Sequence, residues 1–390
     1  MNYFNKVISF SEKLIARFKK PFYLKFFDVT GGYTDTHKRC LVYMKTEPFY
    51  RNLNNHTNFW EIKELVHILN SKGFVVDIID REVNDFIPND IYDLFIGYGS
   101  GNSGKHFYKY ANLLKNAKKI LYATGPEPSL SNKLVKERYD NFNKRTKSQA
   151  PYMRTVEVDF NEFASVTDYI FCIGEENGFS YKSYARHNIK TLSILPSTVP
   201  SPHHKNLSSM IKDKKHFLCF AGNGLICKGV DIIIEAFKEI PEYNLHICGP
   251  EEKAFNDFYK NVFLLYPNIN YYGFVDVEGS KYKDLCNKCS YTIFHTAAEG
   301  CATSVLNNMR SGLVPILNYE AGVDIKNFGF LIDSNENRIE EVKNIINKVS
   351  KITDQEYVNK RSLTLEASMN FTRKGHSKSL NDALNIVLNG

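Results

Sequence analysis

Residues 291–312 read Tyr291-Thr-Ile-Phe-His-Thr-Ala-Ala-Glu-Gly-Cys-Ala-Thr-Ser-Val-Leu-Asn-Asn-Met-Arg-Ser-Gly312. A short apolar run comes first and reads as a strand. A loop of small residues follows, then a helical stretch that begins near Thr303 and stops at Gly312. Strand, loop and helix in this order make the repeating unit of a parallel α/β sheet. The same order flanks it. Phe217 to Ala221, Asn244 to Cys248, Asn270 to Phe274 and Leu313 to Asn318 read as further strands, and Val230 to Lys238 as a helix.

The first half of the chain repeats the pattern. Arg39 to Met44, Phe74 to Ile79, Tyr92 to Gly97, Lys119 to Thr124, Asp168 to Ile173 and Lys190 to Leu195 are short apolar runs with helical segments between them. Trp60, Leu65, Ile68 and Leu69 share one face of a helix over 59–71, which Gly73 ends. Between the halves stands Pro196-Ser-Thr-Val-Pro-Ser-Pro202, a proline-rich linker. A length of 390 residues suits two such domains. The boundaries expected are a basic amphipathic segment over 1–38, one Rossmann-like domain over 39–200 and a second over 201–370. The polar, basic stretch Asn141 to Arg154 reads as a long surface loop. Ser377 to Leu388 reads as a closing amphipathic helix.

Composition narrows the class. The chain is 43% hydrophobic and 24% charged, which excludes disorder and coiled coil as the main architecture. No run of about 18 apolar residues exists to span a membrane, and Glu12, Lys13 and Arg17 break any signal-peptide core. A cytoplasmic protein is expected. Cys172, Cys219 and Cys248 lie in strand-like runs, and Cys286-x-x-Cys289 lacks the second pair that a zinc site requires. The net charge of +7 is concentrated in two patches. Residues 1–40 hold eight basic against three acidic residues, and 129–154 hold seven against two. Such patches suit a phosphate-bearing partner or an anionic membrane surface. No nucleic-acid-binding signature accompanies them. Residues 1–18 place Phe4, Val7, Ile8, Leu14, Ile15 and Phe18 at helical spacing beside lysines, as in a helix lying on a membrane or packed on the protein body.

Two loops carry candidate chemistry. Phe220-Ala-Gly-Asn-Gly-Leu-Ile-Cys-Lys-Gly-Val230 takes a strand through glycines into a helix. Gly222 and Gly224 permit close approach, and Lys228 offers a point charge to a diphosphate. In the second loop, Glu299-Gly300 stands just before a helix whose first N–H groups, from Ala302 to Val305, can bind phosphate. Glu299 can reach the hydroxyls of a polar ligand.

Gly222 with Lys228-Gly229, Cys248-Gly-Pro250, Tyr272-Gly-Phe-Val275, Glu299-Gly300 and Met309-x-x-Gly312 resemble, in order and spacing, glycosyltransferase family 4. The resemblance covers 216–318 and implies a retaining, nucleotide-sugar-dependent enzyme with the GT-B fold, two Rossmann-like α/β domains facing a cleft. It implies that Lys228 neutralises the donor diphosphate and that the main chain near Val275 meets the base. It also implies that Glu299 holds sugar hydroxyls, and that Gly300, Cys301, Ala302, Thr303 and Ser304 line the donor with Gly222, Asn223 and Gly224. In this family a histidine after the first strand often lines the sugar site, and His56 is the nearest candidate. The last helix commonly crosses back to the first domain. No metal or cofactor is implied beyond the nucleotide-sugar co-substrate. Asp276-Val-Glu278 reads as a turn rather than a metal motif.

On the acceptor side, Glu127 at a strand's carboxyl edge and the basic Lys144 and Arg145 are candidates. The expected acceptor is a glycan or lipid-linked carrier, as in capsule or lipopolysaccharide assembly. Two positions depart from the family. Its second acid, which binds the ribose, is Asn307 here, and its phosphate-binding arginine is Asn223. These departures also suit an inactive nucleotide- or glycan-binding relative. A sugar-nucleotide epimerase shares the architecture.

Overall fold

The computed structural model describes residues 24–26, 38–49, 57–88, 90–99, 104–199, 212–333 and 337–390. Among them are two sheets. The first runs β1 (Leu24–Phe26), β3 (Phe74–Asp80), β2 (Lys38–Met44), β4 (Leu94–Tyr98), β5 (Lys118–Ala123), β6 (Tyr169–Ile173) and β7 (Lys190–Ile194). Only β1 is antiparallel to its neighbour. The second is wholly parallel: β10 (Ile269–Tyr271), β9 (Asn244–Cys248), β8 (His216–Phe220), β11 (Tyr291–Phe294), β12 (Val314–Leu317) and β13 (Phe330–Leu331).

Strands covered by helices on both faces are mostly apolar; β3 and β11 are buried along their whole length, with Asp77 and Asp80 of β3 paired to Arg39, Tyr92 and Thr46. Alternate residues serve opposite faces. Cys40, Val42 and Met44 join a large core that continues into the second domain, whereas Leu41 and Tyr43 pack with Phe95, Leu121 and Ile170 on the other side. Leu218, Cys248, Leu285 and Leu313 fill the outer face of the second sheet. The strand–helix alternation read from the sequence is present, with ends displaced by a few residues. The helix Val230–Lys238 and the strand Asn244–Cys248 have the expected bounds.

One segment differs from expectation. Asn141 to Thr146 is not loop but the end of a helix, Pro128–Thr146. Its buried positions Val135, Arg138, Tyr139 and Phe142 follow helical spacing, and the arginine among them disguises the apolar face. Lys147 closes it in the left-handed conformation. The final helix, Arg373–Asn389, lies on the first domain. Lys72 and Lys118 reach its Asn385 side chain and Val387 carbonyl, and His376 meets the Leu195 carbonyl. No helix of the described residues is long and apolar enough to cross a membrane.

Each sheet reverses its strand order once, between β2 and β4 in the first and between β8 and β11 in the second. Ligands of open α/β sheets bind beyond the carboxyl ends of the strands at such a reversal. The loops after β8 and β11 contain the two candidate motifs.

Candidate functional site at the second switch point

The two loops are joined through their backbones. Ala297 N–H donates to the Cys227 carbonyl at 2.8 Å, and Lys228 N–H closes a turn onto Gly224. Glu299 N–H and Ala302 N–H donate to the Glu320 and Ala321 carbonyls, both at 3.0 Å, which fixes the second loop from behind. The result places the Lys228 ammonium on Glu299 Oε1 as a direct ion pair. Lys228 also lies 5.4 Å from the Phe294 ring centroid. Burial pulls the Lys228 ammonium below its ordinary pKa, and Glu299 draws it back up. Burial alone would raise Glu299, but Lys228 and Arg154 outweigh it and hold the carboxyl below its ordinary value.

Beside the pair, Gly222 and Asn223 are exposed, and the nearest atom to a Cβ on Gly222 would be Lys228 Cε at 3.8 Å. A side chain at position 222 would thus meet only the Lys228 stem, while the ammonium itself is buried against Glu299. The helix Thr303–Arg310 follows the Glu299 loop, and of the four N–H groups expected to meet phosphate, those of Ala302 and Val305 are taken by the Ala321 and Ala302 carbonyls. Ala302 caps it without a side-chain hydrogen bond, and Thr303 and Ser304 are half-buried. An N-terminus of this kind binds anions. Cys301 and Ala302 are buried beneath it. Val275 turns its side chain into the outer core, leaving only main chain towards the strand ends.

Several candidates are used otherwise. The Asn307 amide is held at both ends by backbone. Its Oδ1 accepts Val199 N–H and its Nδ2 donates to the Thr303 carbonyl, both at 3.0 Å. The residue thus ties the segment entering the interdomain linker to the helix. A Cβ on Gly300 would lie 2.4 Å from the Thr124 carbonyl oxygen, so this glycine serves the contact between domains. Glu127 is buried and caps the helix Pro128–Thr146 by accepting Ser129 and Leu130 N–H, with Arg186 as its counter-ion. No oxygen of it is left for an acceptor. Arg145 pairs with Asp231 and Glu235 and donates to Tyr259 Oη at 3.0 Å. It is a brace to the second domain rather than a free cation. Lys144 is exposed on the same turn. His56 and residues 1–18 lie outside the described residues. Cys286 and Cys289 are buried free thiols, and Asp276 forms the expected turn by accepting Glu278 N–H.

Sequence reasoning missed Arg154. It reaches across from the first domain, donating from Nη1 to the Asn223 carbonyl at 3.2 Å, with Nη2 3.5 Å from Glu299 Oε1. It also missed Arg138, buried in the helix Pro128–Thr146 and bonded at 2.7 Å to the His295 carbonyl just after β11. Both lie far in sequence from the loops they touch, so no local motif announces them.

Residues 206–361 match the family Glycosyl transferases group 1. No curated protein matches the sequence. Among solved structures, sucrose-phosphate synthase from Thermosynechococcus elongatus superposes with a TM-score of 0.61 at 11% identity, over 90% of this chain and 99% of that one. Anabaena HepE in complex with UDP and glucose gives 0.56 at 14%, over 90% and 100%. The Candida albicans trehalose-6-phosphate phosphatase N-terminal domain gives 0.58 at 11%, over 93% and 99%. The superpositions show the GT-B fold, and the match to Glycosyl transferases group 1 spans residues 206–361, less than half of the chain.

Proposed function

We propose that the protein moves a sugar from a nucleoside diphosphate to a hydroxyl of a glycan or lipid-linked acceptor, with retention at the anomeric carbon. One observation carries this reading: the Lys228–Glu299 pair at the switch point of the second sheet, within reach of Arg154 of the first domain. Departure of the nucleotide puts negative charge on a phosphate oxygen. Lys228 and the N–H groups at Thr303 and Ser304 are suited to stabilise it in a site that needs no reorganisation. Glu299 is ionised and suited to accept hydrogen bonds from sugar hydroxyls. In a front-face displacement the acceptor oxygen bonds to the anomeric carbon as the bond to phosphate breaks, and the acceptor proton passes to that phosphate. The reading assigns no metal and no cofactor. UDP-glucose is the first donor to try, because the HepE neighbour holds UDP and glucose.

With Arg138, Arg145 and Arg154 engaged by the second domain, it is the exposed lysines Lys133, Lys136, Lys144 and Lys147 that favour an anionic or lipid-linked acceptor, as in bacterial surface polysaccharide assembly at the inner membrane's cytoplasmic face. The test is a thermal-shift panel of UDP, GDP, CDP and their sugars on the full chain, repeated on Lys228→Ala and Glu299→Ala. Stabilisation by one nucleotide series is expected; Lys228→Ala should lose it, and Glu299→Ala should lose the extra shift of the nucleotide-sugar over the bare nucleoside diphosphate. Wild-type shifts in both variants would misplace the site. Donor binding without turnover on any acceptor or water would point to a non-catalytic relative, and product from donor alone to an epimerase.

A further inference from the structure

Charge counting at the site leaves a deficit that the first domain makes good. In the donor-side loops Lys228 and Glu299 cancel, and Asn223 adds nothing. A diphosphate would meet a socket of zero net charge. The charged groups that act on one another there are three: Lys228, Glu299 and Arg154. The nearby Cys227 thiol is buried and pushed up, hence neutral. Arg154 alone makes the socket positive.

The geometry is built for this residue. Arg154 adopts φ 68°, a left-handed conformation that side-chain-bearing residues seldom take and that collects at functional sites. Gly224 faces its stem. A Cβ there would lie 2.9 Å from Arg154 Cδ, and Gly224 itself has φ +89°. The guanidinium therefore crosses the cleft over Gly224 and ends on the main chain of Asn223, with more than a third of its side chain still open to solvent.

We infer that Arg154 of the first domain supplies the diphosphate-binding cation that position 223 of the second domain lacks, so that the donor site is complete only when both domains face each other. This rests on the glycosyltransferase reading. In the bound state the diphosphate takes the place of Glu299 as partner of Lys228 and Arg154, and Glu299 is released to the sugar. When the bond from the anomeric carbon to the phosphate oxygen breaks, its electron pair stays on that oxygen. The acceptor oxygen bonds to the carbon, its proton goes to the phosphate, and the two cations hold the added charge. A bidentate guanidinium suits two phosphate oxygens better than a second ammonium would.

The test measures affinity for UDP, GDP, CDP and ADP by calorimetry on the full chain, then carries the tightest and its parent nucleoside through variants. Arg154→Ala should weaken the nucleoside diphosphate roughly ten- to hundredfold, the usual worth of a charge-assisted contact. It should leave nucleoside binding, followed by ligand-observed NMR, unchanged. Arg154→Lys should recover part of the loss, and Asn223→Arg placed in the Arg154→Ala background most of it. Diphosphate affinity within twofold of wild type in Arg154→Ala would overturn the inference while leaving the glycosyltransferase reading intact. So would equal loss of diphosphate and nucleoside, or a loss that neither Lys at 154 nor Arg at 223 repairs. If no nucleoside diphosphate binds the wild type while the chain is folded, the glycosyltransferase reading fails and takes this inference with it.

Discussion

Glu299 restrains two cations at once, and its replacement has opposite effects on the empty protein and on its ligand. In Glu299→Gln, Lys228 and Arg154 face each other without a counter-charge, which should cost about 2 kcal/mol, less than a fully buried pair because more than a third of the Arg154 side chain is exposed. The same change raises the socket's net charge by one, so nucleoside diphosphate affinity should rise several-fold by calorimetry while sugar transfer falls. The pH dependence has a definite sign. Glu299 titrates below its ordinary 4.5 in the folded state, so its contribution is present above that pH and is lost as pH falls through the lower folded value. The melting-temperature gap between wild type and Glu299→Gln should therefore be widest near neutrality and close in acid, as pH falls through the carboxyl's lowered folded value. A gap that widened in acid would show the carboxylate is not stabilised by its neighbours. Asn307 gives a second test. Its amide donates to one backbone carbonyl and its oxygen accepts a backbone N–H, so Asn307→Asp sets a carboxylate against the Thr303 carbonyl. A loss of about 2 kcal/mol, read as a melting point lower by about 5 °C, is expected. Lys228 and Glu299 were legible because a strand, a small-residue loop and a helix set their positions locally. Asn307 and Glu127 sit in similar local patterns, but their partners come from distant chain. Capping and bracing cannot be told from ligand binding without those partners.

Among the elements, the helix Pro128–Thr146 does most to join the domains. Glu127 starts it, Arg138 holds the loop after β11, Tyr139 Oη donates to Glu252 Oε1 at 3.0 Å, and Arg145 grips Asp231. Burial pulls the Arg138 guanidinium down to about 10, so at neutral pH its charge is carried at a cost. Arg138→Met keeps the volume and removes that cost but strands the His295 carbonyl, and should destabilise by about 2 kcal/mol. Arg138→Ala adds a cavity, and should cost about 4 kcal/mol. Chemical denaturation of the two variants checks the order, and equal losses would mean that packing around Arg138 relaxes freely. The helix escaped the sequence reading at its end because Arg138 occupies a core position. A periodicity that counts only apolar residues breaks there. The strands were easier, since burial on both faces writes them as short, mostly apolar runs.

At the scale of the whole molecule, close backbone contacts join the domains beside the side-chain braces of the helix Pro128–Thr146. A Cβ on Gly300 would strike Thr124 O at 2.4 Å, one on Gly322 would strike Gly300 O at 2.4 Å, and one on Gly174 would lie 3.1 Å from the same oxygen. Three glycines from both domains thus let the loop carrying Glu299 touch the carboxyl ends of β5 and β6. This closeness brings Arg154 within reach of Asn223 and Glu299. A sequence reader sees the glycine after Glu299 and assigns it to the ligand, because the other domain's carbonyl cannot be anticipated from the motif. Gly300 takes no left-handed φ, so Gly300→Ala is a steric test with no backbone penalty mixed in. The added methyl cannot fit against Thr124 unless the domains part by about 1 Å or more, at a cost of about 1–3 kcal/mol. Parting them withdraws Arg154 from the donor loops while leaving Lys228, Glu299 and the helix start in place on the second domain. Gly300→Ala should therefore resemble Arg154→Ala in nucleoside diphosphate affinity, and adding Arg154→Ala to it should cost little more. Full additivity of the two losses would mean that Gly300 acts on the ligand itself, and that closure and the arginine are independent.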